Sequence, residues 1–426
     1  MPRLVPNPYS ERRKATAMSS FAENKFRFPM IEDLRQGARG RIPRVAFDYV
    51  DCGVGQEEEC NKRNQAAFGG IELVCRYGLG LEKPISETEL FGRRYNFPFC
   101  ISPMGLPSLV WPGGEFALAR AAQAANIPFV LGMAAGQTVE TMSKIAPDVL
   151  WFQIHRIPQD NLAINIDLAK RAEAAGVKVL VLTIDLPSRG KRRREFKNRL
   201  QVPFKITPQV MANVATHPQW LMAFLQRGFP RLASFTNYVS GPVNSTTVGQ
   251  FAHRVIKGAY TWDEIALLRE KWPHKLVLKG VLHPDDAEQA VKVGADGIIV
   301  SNHGGRQFES APATIDVLPS VAERVGGRMT VLMDGGIRCG TDILKAQALG
   351  ADAVLAGRPF MYGLGALGLD GPEYVIKLLS EEFQAAQMQV GVPTARDARA
   401  IVLSHAMGER WKTIFHGQSE TFAKSA

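Results

Sequence analysis

The sequence predicts an α/β protein built on a closed (β/α)8 barrel. From about residue 98 onward, short apolar runs alternate with longer segments of helical periodicity. The runs are apolar throughout, which indicates parallel strands that are buried on both faces of a sheet. Eight strand-and-helix units in about 260 residues fit a closed barrel better than an open sheet. The predicted strands are 99–103, 128–132, 149–153, 177–184, 275–279, 296–301, 329–333 and 352–356.

Helical segments follow the strands, and the clearest are 114–126, 284–294 and 340–350. A glycine pattern, Gly-x-Gly-x-x-Gly at 363–368, matches a dinucleotide-binding fingerprint. Such a fingerprint should follow the first strand of a βαβ unit, whereas this one lies beyond the eighth strand. We therefore expect these glycines to allow close packing rather than to bind a dinucleotide.

Three segments lie outside the barrel domain, which we place at 98–405. Residues 1–97 are expected to form an N-terminal section that packs on the barrel, with one helix near 43–52. Residues 186–260 form a connection after the fourth strand that is far longer than the roughly 2–6 residues usual there. Because such loops emerge at the catalytic end of a barrel, we expect this insertion beside the active site. Residues 406–426 are expected to be a C-terminal tail.

The net charge of +10 is concentrated in the insertion. Between Leu186 and Trp262 there are twelve lysines and arginines and a single acid, Glu195. The remaining 349 residues carry 39 basic and 40 acidic groups. The excess charge is therefore local: a nearly neutral barrel carries a basic insertion (residues 186–260).

Within the basic insertion, 217–235 has an apolar pattern, with Trp220, Leu221, Phe224 and Leu225 spaced as on one side of a helix. Two interpretations are open. The helix packs its apolar side on the barrel, or it forms an amphipathic surface that meets an anionic membrane, where each Lys or Arg near the lipid adds about 1 kcal/mol. The absence of other acids from the insertion slightly favours the membrane.

The sequence shows no feature of a secreted or membrane-spanning protein. Its N-terminus lacks the apolar run of a signal peptide, and no stretch approaches about 18 consecutive apolar residues. The five cysteines are isolated, without a C-x-x-C pair, so we expect reduced thiols and no metal site. We therefore expect a cytoplasmic protein that can attach peripherally to the inner face of the membrane.

The densest polar segment, SNHGGRQ at 301–307, follows the sixth predicted strand. At the carboxyl end of a barrel strand, such residues face the active site rather than the core. His303 can exchange a proton near neutral pH, and Arg306 offers a planar fork that suits a carboxylate. Gly304 and Gly305 allow a sharp turn and a close approach to a ligand.

Turns that contain glycine and arginine follow the seventh and eighth predicted strands. DGGIR occupies 334–338, and Gly357-Arg358 ends the eighth strand. Many barrels bind a phosphate at this place, with backbone N–H groups and a helix N-terminus facing the anion. These turns predict a phosphorylated cofactor or substrate, without saying which.

Charged side chains also end the fourth and fifth predicted strands. Asp185 can pair with His303, orient its ring and stabilise an imidazolium. Lys279 can hold an anion such as a reduced cofactor. Burial of either charge is costly without a partner or a charged ligand. Together with the polar segment these residues indicate one active site, although such charges also form structural ion pairs.

Taken together, these motifs resemble the FMN-dependent α-hydroxy-acid oxidase and dehydrogenase family, which includes glycolate oxidase, flavocytochrome b2, and lactate and mandelate dehydrogenases. SNHGGRQ, DGGIR, LKG at 278–280 and LTID at 182–185 match the family in order and spacing over about residues 27–405. Segments 107–122 and 217–220 are most similar to its mandelate dehydrogenase branch, as is the long connection after strand four.

The resemblance implies a role for each matching residue. His303 would be the base, assisted by Asp185, and Lys279 would stabilise the anionic reduced flavin at its N1–C2 carbonyl. The residues implied to bind the substrate carboxylate are Tyr49, Arg192 and Arg306. Those implied to line the flavin ring are Pro103, Met104, Gly105, Gly132, Gln153, Thr183 and Ser301. Those implied to bind the ribityl phosphate are Asp334, Gly335, Gly336, Arg338, Gly357 and Arg358.

Three positions depart from the family pattern. His155 stands where the family has a tyrosine that hydrogen-bonds the substrate hydroxyl, Gly132 replaces a common serine, and Met104 replaces a usual threonine. Histidine still donates a hydrogen bond, so His155 is expected to serve both catalysis and substrate binding, but its charge can change near neutral pH. These changes favour a larger or aromatic 2-hydroxy acid and leave an amine substrate open.

The leading hypothesis is oxidation of an L-2-hydroxy acid, mandelate- or lactate-like, to the 2-oxo acid, with electrons passed to a membrane quinone or a similar acceptor. One alternative is a soluble oxidase that uses oxygen. A second is a related flavin enzyme that acts on an amine or a peptide-derived substrate. A third is an anion- or nucleic-acid-binding protein that uses the basic insertion. We favour the enzyme, expect no nucleic-acid partner, and expect a homotetramer from the resemblance alone.

Overall fold

The computed structural model describes residues 23–200, 207–228 and 230–425. Eight parallel strands form a closed barrel, which confirms the predicted fold class. Each strand pairs with the next along the chain, and the eighth pairs with the first. Nearly all strand residues are buried, because they face either the barrel interior or the surrounding helices. The strands are β1 (Phe99–Ile101), β2 (Phe129–Gly132), β3 (Leu150–Ile154), β4 (Val179–Thr183), β5 (Lys275–Val281), β6 (Gly297–Val300), β7 (Thr330–Asp334) and β8 (Ala353–Ala356).

Helices surround the barrel, and the three clearest predicted ones start at the observed residues. Two of them stop just before Gly294 and Gly350, whose positive φ angles of 76° and 111° end a helix without strain. The helices around the barrel are Pro107–Val110, Gly114–Ala125, Val139–Ser143, Ala163–Ala174, Trp262–Lys271, Pro284–Lys292, Thr314–Val325, Gly340–Ala348, Arg358–Leu367 and Gly371–Val390, with a 3-10 turn at Gly368–Asp370.

The glycine pattern at 363–368 serves close packing, as the sequence predicts. A Cβ atom on Gly365 would lie 2.7 Å from the Cβ atom of Ala38, closer than two such atoms can approach. The missing side chain therefore lets helix Arg358–Leu367 rest directly on helix Ile31–Arg41. This contact fixes the N-terminal section against the end of the barrel.

The N-terminal section contains more regular structure than the sequence predicts. The expected helix near 43–52 is present as Arg44–Asp51, but the pattern does not reveal helices Ile31–Arg41 and Glu59–Ala66. These two helices have few apolar residues, so their periodicity is weak and tertiary contacts stabilise them instead. The other elements of this section are the 3-10 turn Ala67–Gly70 and the short strands Glu72–Leu73, Thr88–Leu90 and Arg93–Tyr95.

The basic insertion is largely helical where it is described. Its patterned stretch 217–235 is not one continuous helix, because the helix Pro218–Arg227 ends at Arg227. Trp220 and Phe224 are buried and stack with ring centroids 4.6 Å apart, whereas Leu225 is 74% exposed. One edge of the helix therefore packs on the protein and another faces outward. The further elements are Arg193–Lys197, Pro208–Ala215, Ala233–Tyr238 (3-10) and Ser245–Val255.

The segment expected as a C-terminal tail is instead a helix, Ala406–Ser425, that packs on helix Thr314–Val325. Its apolar residues Trp411 and Phe415 lie against the core. Before it come the 3-10 turn Ala395–Ala400 and the strand Leu403–Ser404, which pairs with Glu72–Leu73. Within the described ranges, no helix is long and apolar enough to cross a membrane.

Candidate active site

His303 and Asp185 meet at the carboxyl end of the barrel, as predicted. His303 Nδ1 lies 2.9 Å from Asp185 Oδ1, which leaves Nε2 for a ligand. His303 has a φ of 58°, rare for a residue with a side chain, and its backbone N–H donates to Ser301 Oγ at 3.0 Å. The following Gly304 and Gly305 also have positive φ, of 63° and 74°. The sharp turn of this segment therefore aims the imidazole at the barrel mouth.

Asp185 is placed to favour a positive charge on His303. Burial alone would raise the pKa of this carboxyl, but the charge and the hydrogen bond of His303 lower it. A glycine is required opposite, because a Cβ atom on Gly280 would lie 2.5 Å from that of Asp185. Asp185 Oδ2 is buried and has no hydrogen-bond partner among the described residues. The carboxylate therefore acts through one oxygen on the imidazole.

His155 lies beside His303, with ring centroids 6.3 Å apart and planes 22° from parallel. Burial, and next the positive charge of His303, lower the pKa of His155 to about 3. The sequence allows this ring to change charge near neutral pH, but its surroundings keep it neutral there. Its Nδ1 is buried without a partner in the described part of the chain.

Lys279 is buried at the end of β5 between an acid and a hydroxyl. Its Nζ lies 3.0 Å from Asp334 Oδ2 and 2.8 Å from Ser301 Oγ. Burial would lower the pKa of Lys279, but Asp334 and Asp185 outweigh it and raise the pKa, so the ammonium stays charged. Asp334 is therefore the counter-ion of Lys279, which departs from the phosphate role that the resemblance implies, because a carboxylate repels a phosphate.

The residues expected along a flavin ring lie at the ends of neighbouring strands. Gln153 Nε2 donates to Thr183 Oγ1 at 2.7 Å, and both side chains are buried. A Cβ atom on Gly132 would lie 3.3 Å from Gln153 Oε1 and equally close to Met104 O, so a larger residue would crowd this edge. Pro103, Met104 and Gly105 lie in the turn after β1, with only Ser102 between them and the strand, and Ser301 follows β6.

Arg306 and Arg192 lie together, as the resemblance implies for residues that bind a carboxylate. Arg192 Nε donates to Arg306 O at 3.2 Å, and the Arg306 guanidinium lies 5.5 Å from the centre of the Tyr49 ring. Tyr49 OH donates to Gly105 O at 2.9 Å, which connects this cluster to the turn after β1.

The arginine cluster also contains Glu195, which the sequence reasoning does not place in the site. Glu195 Oε1 accepts from Arg306 Nη2 at 2.9 Å and from Arg192 Nη1 at 3.1 Å. The one signal in the sequence is that Glu195 is the single acid of the basic insertion.

Arg338 and Arg358 carry positive charge without an acidic partner among the described residues. Arg338 Nη1 donates to a backbone carbonyl at 2.8 Å, and Arg358 donates to three carbonyls, including those of Val50 and Gly304. Burial lowers the pKa of Arg358 to about 10. An anion here would supply the missing countercharge, which fits a phosphate. Arg358 additionally ties the N-terminal section to the turn after β6, a role that the sequence does not reveal.

The glycines near these arginines have different tasks. Gly335 and Gly336 have φ of 97° and 91°, so both permit the turn after β7. A Cβ atom on Gly336 would lie 2.1 Å from Asn64 O, so this glycine is also required for contact with the N-terminal section. Gly357 precedes helix Arg358–Leu367, whose first N–H groups have no partner within the helix.

These features fit FMN group by group. Lys279 supplies a fixed positive charge beside a buried polar edge, and Arg338 with Arg358 supplies positive charge that no carboxylate of the described residues neutralises. A reduced flavin ring and a phosphate are the two anionic parts of that cofactor.

Comparison with known proteins agrees with this fit. The family model described as FMN-dependent dehydrogenase matches residues 38–405. The chain is 36% identical over 364 residues to (S)-mandelate dehydrogenase of Pseudomonas putida, which covers 85% of this chain and 90% of that protein. It is 34% identical over 383 residues to L-lactate dehydrogenase of Xanthomonas euvesicatoria pv. vesicatoria (strain 85-10), which covers 90% and 98%.

Solved structures give the same result. The crystal structure of the monotopic membrane protein (S)-mandelate dehydrogenase matches with a TM-score of 0.82 at 35% identity, covering 87% of this chain and 97% of that one. A mandelate oxidase in complex with 3,3-difluoro-2-hydroxy-3-phenylpropionic acid matches with a TM-score of 0.73 at 32% identity, covering 88% and 99%. The chain belongs to the FMN-dependent dehydrogenase family.

Proposed function

We propose that this protein oxidises an L-2-hydroxy acid, mandelate- or lactate-like, to the 2-oxo acid, and passes the electrons to a membrane quinone or a similar acceptor. The observation that carries the proposal is the 2.9 Å contact between His303 Nδ1 and Asp185 Oδ1. It orients a base whose other nitrogen remains available, next to a pair of arginines that suits a carboxylate.

Different residues of the chain have different roles in the reaction. Arg306 and Arg192, with Tyr49, bind the substrate carboxylate and so fix the carbon that is oxidised relative to the base. His303 accepts a proton from the substrate at Nε2, and the Asp185 carboxylate stabilises the imidazolium that results. Oxidation of the hydroxy acid removes two electrons and two protons in total.

FMN, when bound, would supply the acceptor for the two electrons and the second proton that the substrate loses. Lys279 would hold the flavin ring and stabilise its negative charge after reduction, because it is a permanent cation in a buried site. Arg338 and Arg358 would hold the phosphate, together with the backbone of Gly335, Gly336 and Gly357. Asp334 keeps Lys279 charged, and its second buried oxygen suits a hydroxyl donor.

His155 and Gly132 would shape the part of the site that selects the substrate. His155 is neutral, so it offers the substrate a hydrogen bond without a charge. Gly132 and Met104 would make the flavin edge less polar than a serine and a threonine would. Both features favour an aromatic or large apolar group on the substrate, in line with the mandelate enzymes among the relatives.

The test is anaerobic mixing of the purified yellow holoenzyme with L- and D-2-hydroxy acids and with the corresponding amines. We expect L-2-hydroxy acids to bleach the flavin and amines to leave it oxidised. Bleaching by an amine alone would instead establish the amine-oxidising alternative, and a colourless protein that holds no flavin would contradict the enzyme itself.

The electron acceptor needs its own measurement, because mandelate oxidase is among the structural relatives. After reduction by substrate, the enzyme is mixed either with oxygen or with a soluble quinone analogue. We expect fast reoxidation by the quinone and slow peroxide formation. Rapid peroxide release would favour the oxidase.

We further propose that the basic insertion attaches the protein peripherally to the inner face of the cytoplasmic membrane. Met222 and Leu225, 59% and 74% exposed, lie on the helix that carries Arg227. Apolar side chains among cations suit an anionic lipid surface. Leu225→Asp should weaken sedimentation with anionic vesicles, whereas Val402→Asp, at a site outside the insertion that is 66% exposed, should not. Equal binding of both variants would contradict the proposal.

We also propose a homotetramer, which light scattering can test.

A further inference from the structure

Glu195 is an unexpected member of the arginine cluster that we assign to the substrate carboxylate. One carboxylate oxygen contacts both cations, at 2.9 Å from Arg306 Nη2 and 3.1 Å from Arg192 Nη1. All three side chains are largely buried, with 15–20% of their surface exposed. The two arginines therefore already share one carboxylate as a hydrogen-bond partner.

The position of Glu195 is fixed by the neighbouring residue of the same short helix. Arg194 donates to Glu58 through Nε and Nη2, at 2.7 and 2.6 Å, and to Asp51 at 2.7 Å. These contacts anchor helix Arg193–Lys197, and with it the backbone of Glu195, to the N-terminal section. A carboxylate that arrives at the arginines must share them with it.

The arginines retain donors for a second carboxylate. Nη1 of Arg306 is used by the carbonyls of Tyr49 and Cys52, and one Nη2 hydrogen by Glu195. Arg306 Nε and Arg192 Nη2 make no hydrogen bond within the described part of the chain. The cluster carries two positive charges and one negative charge, so a bound monocarboxylate brings its net charge to zero.

We propose that Glu195 is an internal counter-ion that holds Arg192 and Arg306 in place. It lowers the affinity of the two arginines for the carboxylates of substrate and product, so that the 2-oxo acid can dissociate. Glu195 acts through the arginines and is a positioning residue. The inference rests on the proposed function, because it takes this cluster as the carboxylate site.

The sign of one binding change separates this role from a merely structural one. Glu195→Gln keeps the shape and an acceptor oxygen but removes the charge. Because a like charge near the ligand is removed, we expect a carboxylate to bind about tenfold more tightly. Loss of a merely structural support would loosen the arginines and weaken binding instead.

The probes are phenylacetate and phenylacetamide, which have the same size and lack the 2-hydroxy group, so neither reduces the flavin. Binding to the oxidised holoenzyme is followed by the change in the flavin spectrum and by calorimetry. We expect Glu195→Gln to tighten the binding of phenylacetate and to leave the binding of phenylacetamide unchanged. Glu195→Asp should restore the wild-type dissociation constant for phenylacetate. Glu59→Gln, which removes an exposed acid paired with Lys62, controls for the change in net charge and should alter neither constant.

Weaker or unchanged binding of phenylacetate to a flavin-replete Glu195→Gln protein would contradict the counter-ion role of Glu195. An equal increase in affinity for the uncharged phenylacetamide would also contradict it. If the wild-type protein binds no carboxylate at all, both the inference and the proposed carboxylate site are contradicted. If phenylacetate binds but Glu195→Gln has no effect on it, only the inference is lost. Product inhibition of turnover by the 2-oxo acid should rise in parallel with the tighter binding.

Discussion

Two acid–base pairs at the barrel mouth have nearly the same length and different surroundings. His303 lies 2.9 Å from Asp185, and Lys279 lies 3.0 Å from Asp334. The side chains of the first pair are 24% and 12% exposed, whereas those of the second are 4% and 9% exposed. The accessible pair contains an imidazole that a substrate can reach, and the sealed pair holds a buried ammonium that stays charged. The exposed fraction of the two pairs, more than their contact distance, therefore distinguishes a proton acceptor from a fixed electrostatic support.

Among substitutions at Lys279, Asp185 and His155, the largest effect is expected for Lys279 of the sealed pair. Lys279→Met should slow flavin reduction about a thousandfold, because a preorganised charge at the reduced ring is lost. The measurement is stopped-flow absorbance on protein reloaded with FMN. The substitution leaves Asp334 buried without its partner. The double variant with Asp334→Asn should therefore recover the stability of the folded protein but not the rate of flavin reduction. A single variant that reduces its flavin at the normal rate would show that Lys279 is only structural.

A smaller effect is expected for the acid of the accessible pair. Asp185→Asn should slow flavin reduction about a hundredfold, because the imidazolium loses its counter-charge while His303 remains as the base. The chain offers a matched control in His405 and Asp316, a buried pair at the same 2.9 Å distance but at the start of the C-terminal helix. Asp316→Asn should leave the rate of folded protein unchanged. Equal losses in both variants would indicate a general effect of disrupting an Asp–His pair.

The smallest effect is expected beside the accessible pair, at His155. His155→Phe should slow flavin reduction about tenfold through the loss of one hydrogen bond to the substrate. Because the pKa of His155 is lowered to about 3, this ring does not titrate between about pH 5 and 9. The acid limb of the pH–rate profile should therefore stay in place in the variant. A displaced limb would show that His155 does change its protonation in that range.

Much of the accessible pair can be predicted from the sequence. A histidine after one barrel strand and an aspartate after another must meet at the same end of the barrel, so the topology alone brings His303 and Asp185 together. The same argument places Lys279 there. It cannot give the partner of Lys279, because Asp334 directly precedes a glycine-rich turn that equally suits a phosphate site.

The parts that the sequence does not predict depend on side-chain contacts between distant segments. Glu195 is 111 residues from Arg306, and nothing local indicates their contact. The helices Ile31–Arg41 and Glu59–Ala66 lack a strong apolar period and depend on packing against the barrel. The interpretations of 217–235 also could not be separated, because Trp220 and Leu225 belong to one periodic pattern and only the folded chain shows which is covered.

The central claim is that the accessible pair moves the proton, and His303→Ala tests it most directly. The rate of anaerobic flavin reduction by an L-2-hydroxy acid is compared between this variant and the wild-type protein, with equal FMN content in both. We predict a loss of at least about a thousandfold while FMN stays bound, because a positioned general base is removed. Reduction at a rate near that of the wild type would contradict the account.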